Sequence, residues 1–164
     1  MDDPFSKTQP FTLPNYNEKR FVLSPEHWQT FPPPVQLAWN FTKFTKSNAT
    51  NVPNDKKGVY TFVVKPDVAN HPACAYLMYV GKAEDQTLRQ RFKQYFQHKT
   101  DTSRWPHISR MLLLWEDNLW FYFAHIADDT KIDDTEQALL NSYVPPCNRR
   151  FRGIVKRQVE YLFA

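Results

Sequence analysis

Hydrophobic and polar positions beyond residue 58 predict three strands. Residues 59–65 and 76–81 are runs of β-branched and aromatic residues, separated by a loop that contains two prolines. Adjacent strands joined by one loop usually pair antiparallel. Residues 119–126, Leu-Trp-Phe-Tyr-Phe-Ala-His-Ile, give the strongest strand pattern in the chain. We therefore expect these strands to form one small sheet.

Helical spacing predicts two helices between the second and third strands. Thr87 and Gln90 have the spacing of a capping box, which marks the start of a helix. The apolar stripe of this helix consists of Leu88, Phe92, Tyr95 and Phe96. A second helix is expected over residues 105–115, where four large apolar residues recur at helical spacing.

The C-terminal third predicts one further helix. Asp133 or Asp134 can cap it, and we expect it to run to about Tyr143, before a pair of prolines. Residues 153–163 are apolar but fit a helix and a strand almost equally. The order β-β-α-α-β-α predicts an α+β fold with a small three-stranded antiparallel sheet flanked by helices.

The first 54 residues differ from the rest in composition. They hold eight of the 13 prolines, including a run at residues 32–34. They also carry more large apolar residues than a free linker would hold: Trp28, Phe31, Leu37, Trp39, Phe41 and Phe44. We therefore expect an N-terminal extension, residues 1–54, packed on a main domain, residues 55–164. A short helix is expected near Val35, and the extension could also contact a protein partner or a second copy of the chain.

Composition and charge narrow the class of protein. Hydrophobic residues make up 41% of the chain, enough for a core. The net charge of +4 fits a phosphate-rich partner, although many basic proteins bind no nucleic acid. No apolar run of about 18 residues predicts a membrane span. The acidic start and the two distant cysteines, Cys74 and Cys147, lead us to expect a cytoplasmic protein without disulfides or a zinc cluster.

Two of the three glycines lie beside a tyrosine at the end of a predicted strand. The triplets are Gly58-Val59-Tyr60 and Tyr79-Val80-Gly81. On neighbouring strands they would place Tyr60 and Tyr79 side by side. A single tyrosine in a strand is most often a half-buried packing residue, but the paired arrangement favours a functional site.

These paired triplets resemble the signature of the GIY-YIG nuclease family. The stretch that runs from Tyr79-Val80-Gly81 to the predicted helix is similar to the nuclease domain of the excinuclease component that makes the incisions in bacterial nucleotide-excision repair. Residues 135–140, Thr-Glu-Gln-Ala-Leu-Leu, and an asparagine after a proline-containing turn, Asn148, match two further family motifs. The resemblance covers about residues 58–150, with the motifs in the family's order.

The resemblance implies a divalent-metal-dependent endonuclease that hydrolyses DNA. It implies that Glu136 holds Mg²⁺ or Mn²⁺, which a hard oxygen ligand suits. It also implies a tyrosine as general base, and of the two candidates we expect Tyr60. The catalytic residues implied in this sequence are Tyr60, Tyr79, Lys82, Arg91, Tyr95, Glu136 and Asn148. Arg91 shares a helix face with Leu88 and Tyr95, so its guanidinium can reach inward to a phosphate.

Basic residues near these motifs are candidates for binding nucleic acid. They are about as consistent with an ordinary charged surface exposed to solvent. They are Lys82, Arg89, Lys93, Arg149, Arg150 and Arg152. The five histidines show no metal-binding spacing. A catalytically inactive DNA-binding or protein-interaction module with the same fold is the alternative, and action on RNA stays open. Roles in repair, restriction or mobile-element defence stay open as well, because a fold does not fix a pathway.

Overall fold

Four antiparallel strands form the centre of the protein. A computed structural model describes Lys19, residues 21–29, Phe31, and residues 36–71, 73–101 and 106–163. The strands are β1 (Trp39–Lys43), β2 (Gly58–Val64), β3 (Tyr76–Ala83) and β4 (Leu119–His125), in the order β1-β4-β2-β3. The α+β class is therefore confirmed. The predicted count of three strands is wrong, because β1 adds a fourth.

The additional strand lies in the segment that we expected to be an extension. β1 pairs along its whole length with β4, from Trp39 opposite Ala124 to Lys43 opposite Trp120. Only Thr42 of its five residues is buried, so the strand presents most of its side chains to solvent. The helix predicted near Val35 falls on residues outside the described ones, and residues 39–43 form a strand.

Five α-helices surround the sheet in the described parts of the chain. They are α1 (Pro25–Gln29), α2 (Leu88–His98), α3 (Pro106–Leu114), α4 (Ile132–Tyr143) and α5 (Gly153–Phe163). The capping box is confirmed, because the Thr87 hydroxyl accepts from the Gln90 backbone N–H and the Gln90 side chain accepts from the Thr87 backbone N–H. The ambiguous tail is a helix, α5.

The start of α4 differs from its prediction. The helix begins at Ile132, and Lys131 occupies the cap position without a side-chain hydrogen bond. Asp133 and Asp134 therefore lie within the first turn, where the helix dipole stabilises a negative charge. Asp133 is therefore a side chain on the surface of α4 and not its cap.

Two apolar layers hold the helices against opposite faces of the sheet. On one face, Tyr60, Phe62 and Phe121 pack with the buried residues of α2 and α3. On the other, the core is built from β-strand residues and from α4 and α5, namely Val59, Val80, Ala124, Ile132, Leu139, Leu140, Val155 and Val159. α2 and α4 therefore lie on opposite sides of the sheet.

Gly81 of β3 lies directly beneath the ring of Tyr60. A Cβ atom added at Gly81 would be 2.4 Å from the Tyr60 hydroxyl and 2.5 Å from its Cζ atom. Tyr60 is fully buried among other rings, so it has little room to move. We expect Gly81→Ala to lower the free energy of unfolding by about 1–3 kcal/mol, measured by urea denaturation. An unchanged urea midpoint would show that the Tyr60 ring can shift.

Candidate active site

A cavity of about 740 Å³ lies beside the β3 edge of the sheet. Side chains from β3, residues 84–86, α2, α3, α4 and the segment before α5 line it. They include five of the seven residues predicted to be catalytic, namely Tyr79, Lys82, Arg91, Glu136 and Asn148. The other two, Tyr60 and Tyr95, are fully buried and do not line the cavity.

Arg91 joins the buried tyrosines to the cavity. Its Nε donates to the Tyr60 hydroxyl at 2.9 Å, and its Nη1 donates to Gln94 Oε1 at 2.6 Å. The Tyr60 hydroxyl also lies 2.7 Å from the Tyr95 hydroxyl, and the guanidinium carbon is 5.3 Å from the centre of the Tyr95 ring. These contacts fix the plane of the guanidinium at the cavity wall.

The two paired tyrosines differ in their access to the cavity. Their rings lie side by side with centroids 6.4 Å apart, but only Tyr79 is part of the cavity wall. Burial raises the pKa of Tyr60, Tyr79 and Tyr95, and the nearby Arg91 charge opposes this rise without cancelling it. All three phenols are therefore protonated at neutral pH in the absence of further cations. Tyr60, which we expected to act as general base, is thus outside the cavity lining, whereas Tyr79 is part of it.

Glu136 presents an unpaired carboxylate to the cavity. It lies on α4, is half-buried, and has no hydrogen-bond or ion-pair partner among the described residues. Burial raises the pKa of its carboxyl group from 4.5 to about 7, with the Lys82 charge opposing this rise. A half-buried carboxylate without a partner fits the binding of a divalent cation, which would restore its negative charge.

The donor set around Glu136 fits one hard divalent cation. A magnesium site with one protein carboxylate takes its remaining ligands from waters and phosphate oxygens. Among the residues that the structure describes, no group of three or more His, Cys, Asp and Glu side chains is arranged to hold a metal ion. Glu136 is the cavity carboxylate that could hold such a cation.

Asp133 is a site residue that the sequence interpretation missed. Its carboxylate accepts from Lys82 Nζ at 2.5 Å and from both terminal nitrogens of Arg152, at 2.9 and 3.3 Å. These bonds, with Arg152 first, hold the pKa of Asp133 below its usual range. Lys82 also donates to Glu84 at 2.5 Å. The sequence carried a signal, because Asp133 and Glu136 are three residues apart on one helix face.

The candidate nucleic-acid-binding residues divide into two groups. Four of the six line the cavity, namely Lys82, Arg149, Arg150 and Arg152. Arg89 lies elsewhere and donates to the backbone carbonyls of Val52 and Thr50, so it anchors the loop before β2. Lys93 is exposed on α2, away from the cavity lining. The cavity also receives His98 and His107, to which the sequence gave no role.

Asn148 connects the basic segment to the sheet. Its side-chain oxygen accepts from Val80 N at 2.9 Å, and its side-chain nitrogen donates to Val80 O at 2.8 Å. The preceding residue, Cys147, donates its backbone N–H to Met78 O at 2.9 Å. These bonds satisfy the outer edge of β3 and position the three arginines that follow beside the cavity. Asn148 is thus a positioning residue in this structure.

The raised pKa of Glu136 predicts a pH-dependent stability difference. The unfolded chain releases this proton near pH 4.5, whereas the folded protein keeps it to about pH 7. The stability that the folded protein gains by keeping this proton is therefore fully present below pH 4.5 and is lost as the pH rises through 7. In EDTA, we expect the free energy of unfolding of Glu136→Gln, relative to that of the wild type, to rise by about 1–3 kcal/mol between pH 4.5 and pH 7. Urea denaturation at both ends of the range would measure it, and a difference that does not change with pH would contradict the burial of this carboxyl group.

Known proteins give no direct guide to this site. Comparisons with models of protein families, with curated proteins and with solved structures found no match to this chain. In the parts of the chain that the structure describes, no helix combines the length and apolar character needed to cross a membrane. The interpretation of the cavity therefore depends on its own residues and on the motifs in the sequence.

Proposed function

We propose that this protein is a divalent-metal-dependent endonuclease of the GIY-YIG type that hydrolyses DNA phosphodiester bonds. The main support is that an unpaired carboxylate, a fixed guanidinium and a tyrosine line the same cavity, together with several cations. Glu136, Arg91 and Tyr79 come from three different elements, and all three line that cavity. The order of the sequence motifs supports the same conclusion.

The charge of the cavity suits a phosphate-rich substrate. Lys82, Arg149, Arg150 and Arg152 surround it, and each can neutralise part of a nucleic-acid backbone. Two of these cations, Lys82 and Arg152, are paired with Asp133, so a bound phosphate would compete with that carboxylate. We expect binding to weaken as the salt concentration rises.

Each catalytic side chain has a role that its position supports. Arg91 has Nε and Nη1 engaged with Tyr60 and Gln94, so Nη2 is available to stabilise charge on a phosphate oxygen. Tyr79 is the tyrosine of the cavity lining, and a cation bound nearby would lower the pKa of its phenol; the phenolate that results would accept the proton of the attacking water. A divalent cation bound by Glu136 supplies positive charge that neutralises the phosphate and lowers the pKa of nearby waters and phenols.

A panel of nucleic acids would test the proposal. The purified full chain is incubated with supercoiled plasmid, linear duplex, branched DNA and RNA, each with Mg²⁺, Mn²⁺ or EDTA. We expect metal-dependent cleavage of DNA. Binding of DNA in gel shifts without cleavage of any substrate would favour an inactive DNA-binding module, and cleavage of RNA alone would overturn the DNA assignment. The pathway and a cytoplasmic location stay predictions.

A further inference from the structure

A group of aromatic rings that the described helices leave partly exposed lies at the opposite edge of the sheet from the cavity. Trp39 and Phe41 of β1 stand on the same face as their neighbours on β4, because direct partners in an antiparallel pair share a face. Phe41 lies opposite Tyr122, and Trp120 lies opposite Lys43. We call this set of side chains the aromatic platform; it consists of Trp39, Phe41, Trp120 and Tyr122, with Lys43 and Lys65.

Phe41 contacts the rings of Trp120 and Tyr122, which are half-buried, while Phe41 and Trp39 are exposed to solvent. Phe41 is 57% exposed and Trp39 is 38% exposed. The Phe41 ring is stacked on Tyr122, with centroids 5.0 Å apart, and meets Trp120 edge-on at 5.8 Å. Exposed rings of this size, grouped on one surface, indicate an interaction site more strongly than a single exposed ring does.

The rest of this sheet face is covered. Val59, Val80 and Ala124 belong to the core that α4 and α5 complete. On the opposite face of the same strands, Phe121 and Phe123 are buried beneath the other helix layer. The aromatic platform is therefore the corner of the sheet that the described helices leave open.

Positive charge accompanies these rings. Lys65 Nζ lies 4.8 Å from the centre of the Trp120 ring and 5.8 Å from that of Phe41. Lys43 stands beside Trp120 across the strand pair. None of the paired positions on this face of β1 and β4 carries an acidic residue. Covering these ammonium groups with an apolar protein surface would cost free energy, whereas phosphate groups would neutralise them.

We propose that the aromatic platform binds an unpaired strand of nucleic acid, with bases stacked on its rings and phosphates beside Lys43 and Lys65. Stacking on exposed aromatic rings is tolerant of sequence, because every base has a π-face. The inference extends the proposed nuclease function: the preferred substrate has an unpaired segment next to the duplex that is cut. Binding to the aromatic platform can nevertheless be measured without cleavage.

Fluorescence anisotropy with a labelled oligothymidylate, in EDTA, tests the inference on the full chain. We expect Phe41→Ala to weaken binding by about 5- to 150-fold, the range for loss of one stacked base. Phe41→Leu should weaken it similarly, because leucine keeps apolar area but has no ring. Lys65→Gln should reduce the salt dependence of binding. Tyr161→Ala, which removes an 85% exposed ring from α5, is the matched control and should change nothing.

Three results would overturn the inference. They are an affinity within twofold of wild type in Phe41→Ala, no measurable binding of the oligonucleotide, and a wild-type dimer in sedimentation that Phe41→Ala dissociates. The last would make this surface an interface between copies. If the protein cuts plasmid but fails these tests, only the proposed role of the aromatic platform is contradicted. If it binds the strand through Phe41 but cuts no DNA, the role of the aromatic platform is supported and the nuclease function is contradicted.

Discussion

Glu136→Gln is expected to lower the single-turnover rate of DNA cleavage by on the order of 10³-fold. Glutamine keeps the size of the side chain but removes the charge to which we assign the divalent cation. The carboxylate has no partner among the described residues, so the substitution breaks no hydrogen bond or ion pair. The rate would be measured with excess protein over a labelled duplex, across a range of Mg²⁺ and Mn²⁺ concentrations.

A second acid on α4 provides the matched control for this variant. Asp134 is exposed two residues before Glu136, and Asp134→Asn removes the same charge from the same helix. We expect it to cut at nearly the wild-type rate. Because Glu136→Gln should be at least as stable as the wild type near neutral pH, its loss of activity would not be explained by unfolding. Equal rates in Glu136→Gln and the wild type would remove Glu136 from the site.

Arg91→Ala is expected to lower the cleavage rate by about 10²- to 10³-fold. The substitution removes the guanidinium that faces the cavity and also the donor that Tyr60 accepts from. Arg91→Lys should recover only a small part of the rate. A lysine ammonium keeps the charge but cannot bond Tyr60, Gln94 and a phosphate in one fixed plane.

For Arg91, the cleavage rate and the DNA affinity should be measured separately. We expect the DNA affinity of Arg91→Ala in EDTA to fall far less than its cleavage rate, because several other cations line the cavity. Arg110→Ala, at an exposed position of α3, is the control for loss of one positive charge. Equal cleavage rates for Arg91→Ala and Arg110→Ala would contradict a contact between Arg91 and the substrate.

The elements with strong local signals could be predicted from the sequence. The capping box at Thr87 set the start of α2, and the stripe from Leu88 set the face that it buries. β1 was not predicted, because it is only five residues long and its burial runs against its pattern: the apolar Trp39 and Phe41 are exposed and the polar Thr42 is buried. What creates β1 is its pairing with β4, and that contact joins residues far apart in the chain.

The candidate site was predictable in its members but not in its internal arrangement. The motifs named Tyr60 and Tyr79 as a pair, but only the packing of α2 over the sheet decides which of the two lines the cavity. The same applies to Lys82, whose ammonium group donates to the carboxylates of Asp133 and Glu84. Ion pairs between distant segments depend on side-chain positions, and no spacing rule encodes them.

The decisive measurement is the incubation of supercoiled plasmid with the wild type, Glu136→Gln, Arg91→Ala and Asp134→Asn, each with Mg²⁺ or with EDTA. We expect nicked or linear plasmid only with the wild type and Asp134→Asn, and only when Mg²⁺ is present. Equal nicking by Glu136→Gln, or nicking by the wild type that persists in EDTA, would contradict the assignment of metal-dependent cleavage to this cavity.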